Sequence, residues 1–271
     1  MLSLEDSIVV PTGVRVDGHD VVDDVRAARY PANDSALFVL RRAGRPLGDV
    51  AEELGRCHRL EPGRARADVL VFAHALNVGL LANVVRRRPR HRRAIEWLVL
   101  AARLAPAGTL PAPVARRHPL DTRTSIRAVV SAARGLVGRA FALAAVVAVI
   151  ALQPLPAAPT RIALVAIALG AGVGGSIILH EAGHAALLAG VGAALVLAGP
   201  RTYVLHAPVS QRRRRVLAAA GPACACGLGG VVIAVAWVLR LPELALAGCA
   251  PVGHALGLTV ATGDGRTACG L

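Results

Sequence analysis

The sequence contains no lysine, and its second half is almost free of carboxylates. All 31 basic residues are arginine, and they outnumber 17 acidic residues to give a net charge of +14. Only Glu181, Glu243 and Asp264 carry a carboxylate beyond Asp121. Long runs of Ala, Val, Leu, Ile and Gly fill this half, and such runs are typical of membrane-embedded chains. The second half is therefore predicted to lie in a lipid bilayer.

Other absences exclude further classes of protein. A hydrophobic fraction of 55% without a glycine repeat excludes a disordered or collagen-like chain. The 5 cysteines are odd in number and scattered, which argues against a secreted disulfide framework. The N-terminus carries Glu5 and Asp6 and has no long apolar core, so no signal peptide is expected there. We expect the N-terminal part to stay in the cytosol.

The positive charge could indicate a nucleic-acid partner, but its position along the chain favours a membrane surface. Arginines are concentrated in residues 86–93 and recur ahead of the apolar runs, where anionic headgroups would hold them on the cytosolic side. Residues 94–106 and 124–138 are predicted to form amphipathic surface helices. Residues 86–138 are therefore interpreted as a basic juxtamembrane linker, and no nucleic-acid partner is expected.

The first 85 residues predict a small α+β domain of the winged-helix type. Three short strands are expected between residues 7 and 31, where β-prone runs alternate with turn signals. Asn33 or Ser35 can cap a first helix, a second helix is expected over residues 47–57, and a third begins near Pro62. Residues 80–85 could add a closing strand. The apolar stretch Val69–Val85 is interrupted by polar residues and is too short to favour a membrane span.

This N-terminal region resembles the PqqD-like family of peptide-recognition modules. The matching segments are Tyr30–Leu37, Leu40–Leu47, Asp68–Phe72 and Gly79–Leu81. The resemblance implies that a leader peptide binds as an added strand at a sheet edge, in a groove completed by a helix. A DNA-binding winged helix is the alternative. The three carboxylates of the second helix (Asp49, Glu52 and Glu53) argue against it because they would repel phosphate.

Four membrane spans are predicted in the second half, at residues 139–156, 161–190, 216–240 and 243–262. The fold class is therefore an all-α, multi-pass protein of the cell membrane with a small α+β domain in the cytosol. In this topology the His180–Glu181 pair and Asp264 lie toward the cytosolic side, whereas Glu243 lies near the opposite face.

The second predicted span contains a metal-binding motif, His180-Glu181-Ala182-Gly183-His184. The i, i+4 spacing places both imidazoles on one helical face, where they can share a Zn²⁺ ion with Glu181 beside it as general base. Ionisable residues are costly at lipid depth and need a partner. The alternative is a buried polar cluster that only packs helices.

Two histidines leave a catalytic zinc site in need of a third ligand and an open position. Asp264 is the preferred candidate because Glu243 is expected near the other membrane face. His206, in a loop between spans, and His254, in the last span, are the competing candidates.

Residues 139–271 resemble the site-2 protease family of intramembrane zinc metalloproteases. The resemblance is carried by the histidine motif, by Ala220-Gly221-Pro222 after a basic stretch, and by the Asp264-Gly265 pair. It implies that His180, His184 and Asp264 bind zinc and that Glu181 is the catalytic base of peptide hydrolysis. Residues 191–208 are predicted to form a hairpin that pairs with an unwound substrate.

A glycine pattern within the same predicted span offers a different interpretation. Residues 170–175 satisfy G-x-G-x-x-G, the pattern of dinucleotide-binding loops. No carboxylate follows at the expected distance, so the glycines are attributed to close helix packing in the membrane.

Together the two halves predict maturation of a ribosomally made peptide. The N-terminal domain would capture the leader of a precursor and the zinc site would remove it, as in the membrane proteases of daptide-type and related gene clusters that this arrangement resembles. The alternatives are regulated proteolysis of a membrane-bound signalling protein or anti-sigma factor, and a non-catalytic export or immunity protein. Homo-oligomers and contacts with other biosynthetic enzymes stay open.

Overall fold

The computed structural model describes residues 2–87, 114–120, 125–152, 158–188, 190–198, 201–259 and 262–270. These residues belong to two compact units. The first is Met1–Pro119 together with Val196–Arg201, and the second is Leu120–Leu195 together with Thr202–Leu271. The predicted surface helix at residues 94–106 and most of the arginine run at 86–93 lie outside the described residues.

The first unit is an α+β domain, and its elements follow the predicted order closely. They are β1 (Ser7–Val9), β2 (Val14–Asp17), β3 (Asp20–Asp23), β4 (Ala28–Pro31), α1 (Asp34–Arg41), α2 (Leu47–His58), α3 (Pro62–Val78), β5 (Asn83–Val85) and β6 (Ala115–Leu120). Strands β2, β3 and β4 form an antiparallel sheet. Strand β1 pairs with β5, with Ser7 opposite Val85. Four strands therefore precede α1, where three were expected.

Local signals explain where the helices of this unit begin. The Asn33 side chain accepts a hydrogen bond of 2.9 Å from the backbone N–H of Ala36 and caps α1. Glu61 caps α3 in the same way, and Pro62 occupies its first turn. The helices bury one apolar face against the β1–β5 pair, and the resulting core includes Ile8, Val39, Leu47, Val50, Leu54, Val69, Ala73 and Val84.

Strand β6 extends the first unit beyond its predicted boundary at residue 85. The Asn77 side chain donates a hydrogen bond of 2.8 Å to the carbonyl of Ala115 and accepts one of 3.0 Å from its N–H. Arg117 is fully buried and makes two hydrogen bonds of 2.8 Å to the two carboxylate oxygens of Asp23, which is also fully buried. Residues 115–119, which the prediction assigned to the linker, therefore pack within the first unit.

Helices dominate the rest of the chain. They are α4 (Ser125–Leu152), α5 (Pro159–Ala186), α6 (Gln211–Val238), α7 (Pro242–Gly253), a 3₁₀ helix (His254–Leu258) and α8 (Gly263–Cys269). Strands β7 (Ala193–Ala198) and β8 (Arg201–His206) are neighbours in a sheet and lie between α5 and α6, which confirms the predicted hairpin.

Among the described residues, three helices are long and apolar enough to cross a membrane. They comprise Arg127–Leu152 of α4 and all of α5 and α6, and the broken segment from Pro242 to Cys269 would make a fourth. Large apolar side chains on these helices are exposed, with Ile150 at 64% and Trp237 at 83% of full accessibility. Such surfaces are unfavourable in water and suit a lipid environment. The structure is thus that of a helical membrane protein with a small α+β unit.

Two of the predicted span boundaries are wrong. Residues 124–138 were expected to form a separate surface helix, but α4 continues unbroken from Ser125 to Leu152. No proline interrupts residues 125–138, and the two glycines, Gly135 and Gly138, each cost a helix only about 1 kcal/mol. The last span, expected over residues 243–262, is an α-helix only as far as Gly253, and a 3₁₀ helix continues it to Leu258. Helix α8 follows at an angle of 50°.

Glycines allow the membrane helices to pack closely. A Cβ on Gly172 would lie 2.9 Å from Cα of Ala247 in α7, and one on Gly174 would lie 3.0 Å from Cγ1 of Val137 in α4. Both glycines are within α5 rather than in a loop. This arrangement agrees with the packing interpretation of residues 170–175 and removes the loop that a dinucleotide site requires.

Candidate metal centre

The histidine motif lies near the C-terminal end of α5. Its two imidazoles are one helical turn apart, with ring centroids separated by 4.7 Å and Nε2 atoms by 3.1 Å. His184 is 8% exposed and Glu181 only 2%. The motif is buried because α6 packs directly on it. The helices approach so closely that a Cβ on Gly183 would lie 2.6 Å from the carbonyl oxygen of Ala220.

Asp264 joins the two histidines from a distant part of the chain. Its Oδ2 lies 3.4 Å from Nε2 of His180 and 3.6 Å from Nε2 of His184. The break before α8 makes this approach possible, because it places Asp264 in the first turn of a new helix. Thr262 caps that helix and accepts a hydrogen bond of 3.0 Å from the N–H of Gly265. The three side chains predicted as ligands are therefore brought together.

A hydrogen bond fixes the orientation of one imidazole. Nδ1 of His184 donates to the carbonyl oxygen of Leu217, at 2.7 Å, since a carbonyl can only accept. Nδ1 therefore carries a proton, and in the neutral imidazole, which is the form that binds a metal, the lone pair is on Nε2, which faces His180 and Asp264. A backbone carbonyl in this role is a common support for a metal-ligating histidine.

The three atoms that converge fit a divalent metal ion. Ligand atoms around a tetrahedral ion with the usual metal–nitrogen and metal–oxygen lengths are separated by about 3.3–3.5 Å. The observed separations are 3.1, 3.4 and 3.6 Å. Two imidazoles and one carboxylate suit Zn²⁺ or Fe²⁺, whereas Ca²⁺ and Mg²⁺ prefer oxygen ligands alone. Among the described residues, these three form the one group of ligand type that could hold an ion.

Glu181 lies beside this cluster and uses only one of its two carboxylate oxygens. The hydroxyl of Thr202, in β8, donates a hydrogen bond of 2.5 Å to its Oε1. Its Oε2 is buried without a hydrogen-bond partner among the described residues. Leaving a buried carboxylate oxygen unpaired is costly, so this atom is available to a water molecule or a substrate.

The cluster opens into a pocket of about 220 Å³. Polar and ionisable side chains line most of it, including the three predicted ligands, Glu181, Thr202, Tyr203, His206, Arg214 and Thr267. Strand β8 supplies one wall. A buried carboxylate, a cluster of ligand atoms and an accessible pocket can together activate a water molecule for nucleophilic attack on a polypeptide bound in the pocket.

The other predicted candidates lie outside the cluster. His206 lines the pocket, but its Nδ1 lies 2.7 Å from the carbonyl oxygen of Ala207. His254 stacks on His180 with centroids 4.6 Å apart and is not in the group of ligand atoms. Glu243 pairs with Arg161 at 3.2 Å. Nineteen residues separate Arg161 from His180 along α5, a rise of about 28 Å, so Glu243 lies at the far end.

Two contributors to the site were not anticipated from the sequence. Thr202 lies on a strand with no motif of its own, so only the fold reveals that it reaches Glu181. The Leu217 carbonyl is a backbone group and leaves no side-chain signal. Gly221 was noted within Ala220-Gly221-Pro222, but its contact with His184 was not: a Cβ there would collide with the imidazole.

Comparisons with protein-family models, with curated proteins and with solved structures found no match for this chain. The chemistry inferred for it therefore depends on the geometry of its own residues.

Proposed function

We propose that this chain is a membrane-embedded, zinc-dependent peptidase that removes the leader from a ribosomally made peptide precursor. The observation that carries the proposal is the buried Oε2 of Glu181, which has no hydrogen-bond partner within the described part of the chain and lies next to three convergent ligand atoms in an open pocket. A purely structural polar cluster would satisfy that oxygen internally. A hydrolase leaves it free to accept a proton.

The residues of the site have two roles in the proposed hydrolysis, metal binding and proton transfer. His180, His184 and Asp264 would hold the zinc ion, which when bound polarises the scissile carbonyl and acidifies water. Oε2 of Glu181 accepts the proton of the attacking water and then donates it to the leaving amine.

The depth of the site agrees with a substrate that enters from one membrane surface. His180 lies six residues before the end of α5, which is about 9 Å along the helix axis. An extended segment of a precursor could reach that depth without crossing the bilayer. Strand β8, which lines the pocket, offers a backbone edge that would keep the segment extended.

The first unit would select the precursor. Its three-stranded sheet has β2 and β4 as outer strands, and an added peptide strand could pair with either. The unit is placed in the cytosol in this proposal, beside the anionic surface that the arginines of the linker would contact.

The test uses the full chain purified in detergent with zinc, mixed with precursor peptides encoded beside its gene. Mass spectrometry should find two fragments of the precursor, and their formation should stop on chelation and resume when zinc is added back. Glu181→Gln should reduce cleavage by about 1,000-fold or more while zinc stays bound, because the loss of a catalytic base costs several kcal/mol.

Glu243→Gln is the matched control, since it removes the carboxylate of α7 that pairs with Arg161 near the far end of α5. This variant should cleave at the wild-type rate. Precursor that stays intact with the zinc-loaded wild type, or equal cleavage by Glu181→Gln, would contradict the proposal. A leader peptide alone should bind the full chain, and a titration by fluorescence anisotropy measures that step separately.

A further inference from the structure

We infer that Thr202 is a positioning residue for the catalytic base, and that the β7–β8 hairpin thereby sets the orientation of Glu181. This inference rests on the proposed peptidase function and adds a residue to it. The contact that carries it is the hydrogen bond of 2.5 Å from Oγ1 of Thr202 to Oε1 of Glu181.

The hydrogen bond determines which carboxylate oxygen can act. A terminal glutamate torsion is broad and roughly two-fold, so an unrestrained carboxylate would present either oxygen to the pocket. Thr202 engages Oε1, and Oε2 is left buried without a partner among the described residues. The hydroxyl has a single proton, and it is committed to Glu181. One oxygen is thus anchored and the other is free to take a proton.

Thr202, which holds Glu181 in place, lies on the side of the pocket that a substrate would contact. Thr202, Tyr203 and Val204 are consecutive residues of β8, and all three line the pocket. A peptide that pairs with β8 would therefore contact the strand that holds the base. Correct seating of the substrate and correct orientation of Glu181 then depend on the same element.

Substituting Thr202 by valine and by serine distinguishes a positioning role from a packing role. Thr202→Val keeps the shape of the side chain and the strand preference but removes the hydroxyl, whereas Thr202→Ser keeps the hydroxyl. A hydrogen bond to a charged group is worth enough to lower kcat by about 10- to 100-fold when it is lost. We expect that loss in Thr202→Val, with KM and zinc affinity within about two-fold of wild type. Thr202→Ser should restore kcat to within about five-fold.

Thr160→Val is the matched control, because Thr160 is exposed at the start of the same helix α5. It should leave kcat unchanged. Wild-type kcat in Thr202→Val would overturn the inference, and so would a kcat in Thr202→Ser as low as that of Thr202→Val. A loss of zinc affinity in Thr202→Val would assign the residue to the stability of the site instead.

A second measurement works without turnover. A peptide hydroxamate binds a metal and donates a hydrogen bond to a neighbouring base, so its Kd reports the orientation of Glu181. Thr202→Val should weaken hydroxamate binding to the zinc-loaded protein by about 10-fold, and Thr202→Ser should not. If the wild type binds hydroxamate but cleaves no peptide, the proposed function fails while Thr202 is still judged by this Kd. Equal Kd values in Thr202→Val and wild type, or no hydroxamate binding at all, would overturn the inference.

Discussion

Gly221→Ala is predicted to destroy metal binding while leaving the helices in place. Gly221 lies on α6, and a Cβ built there would lie 2.7 Å from both Cδ2 and Cε1 of His184 and closer still to Nε2. Ordinary van der Waals contact begins at 3.4 Å, so the imidazole or the backbone must move by more than about 0.7 Å. Metal–ligand distances tolerate only about 0.2 Å.

The backbone has little freedom to provide that movement. Helices α5 and α6 are already in contact at Gly183, where a Cβ would lie 3.0 Å from Cα of Gly221 and 2.8 Å from Cβ of Cys224. The imidazole must therefore rotate, which breaks its hydrogen bond to the Leu217 carbonyl and removes Nε2 from the cluster. We expect zinc affinity to fall by about 100-fold or more, because a change in the supporting groups alone costs 10- to 100-fold.

The assay is competition for zinc with a chromophoric chelator in detergent, with circular dichroism as the check on helix content. The strain in the apoprotein should be only about 1–3 kcal/mol. Gly227→Ala is the matched control, since Gly227 is on the same helix and a Cβ there meets no atom within 4 Å. Wild-type zinc affinity in Gly221→Ala would refute the reasoning and show that His184 is not a ligand in this orientation.

Three further predictions concern the third ligand and the buried ion pair. Asp264→Ala should lower zinc affinity by about 100-fold or more, and His206→Ala should leave it within about two-fold, as the same chelator competition would report. Asp23→Asn should destabilise the first unit by about 3–5 kcal/mol, because it leaves Arg117 buried without a counter-charge; pulse proteolysis of the full chain measures this loss. Burial alone would raise the pKa of Asp23, but hydrogen bonds from Arg117 and Arg26 hold it below 3.8. The ion pair therefore stabilises the unit fully above about pH 5 and progressively less as the pH falls through the folded pKa, so pepsin proteolysis should show a steeper loss of stability below pH 4 in wild type than in Asp23→Asn.

The elements of the first unit could be predicted well because their signals are local. Asn33 and Pro62 mark helix starts by cap chemistry alone, and the structure begins helices beside both. Strand β6 could not be predicted, because nothing between residues 85 and 115 indicates that the chain returns to the domain. The return is specified by the buried partners of Arg117, and a contact over 94 residues leaves no pattern in a single sequence.

The candidate site could also be predicted only in part. The spacing of His180 and His184 is a helical property, so their proximity follows once a helix is predicted. The approach of Asp264 was predicted from topology, because the motif and Asp264 were both expected toward the same membrane face, and the structure brings the three side chains together. The role of Thr202 was not predicted, because its contact with Glu181 depends on the position of β8 in the fold and not on a periodic pattern in the sequence.

The position of Asp264 on a short final helix has a consequence for biogenesis. Eighty residues of chain separate it from His184, so both histidines and the base enter the membrane before the third ligand has been synthesised. Closing such a long loop is entropically unfavourable. An ion bound by His180, His184 and Asp264 would link α5 to α8 and stabilise their contact. Under the proposed function, the formation of α8 would complete the metal site, and a nascent chain would have no complete site until Asp264 is in place.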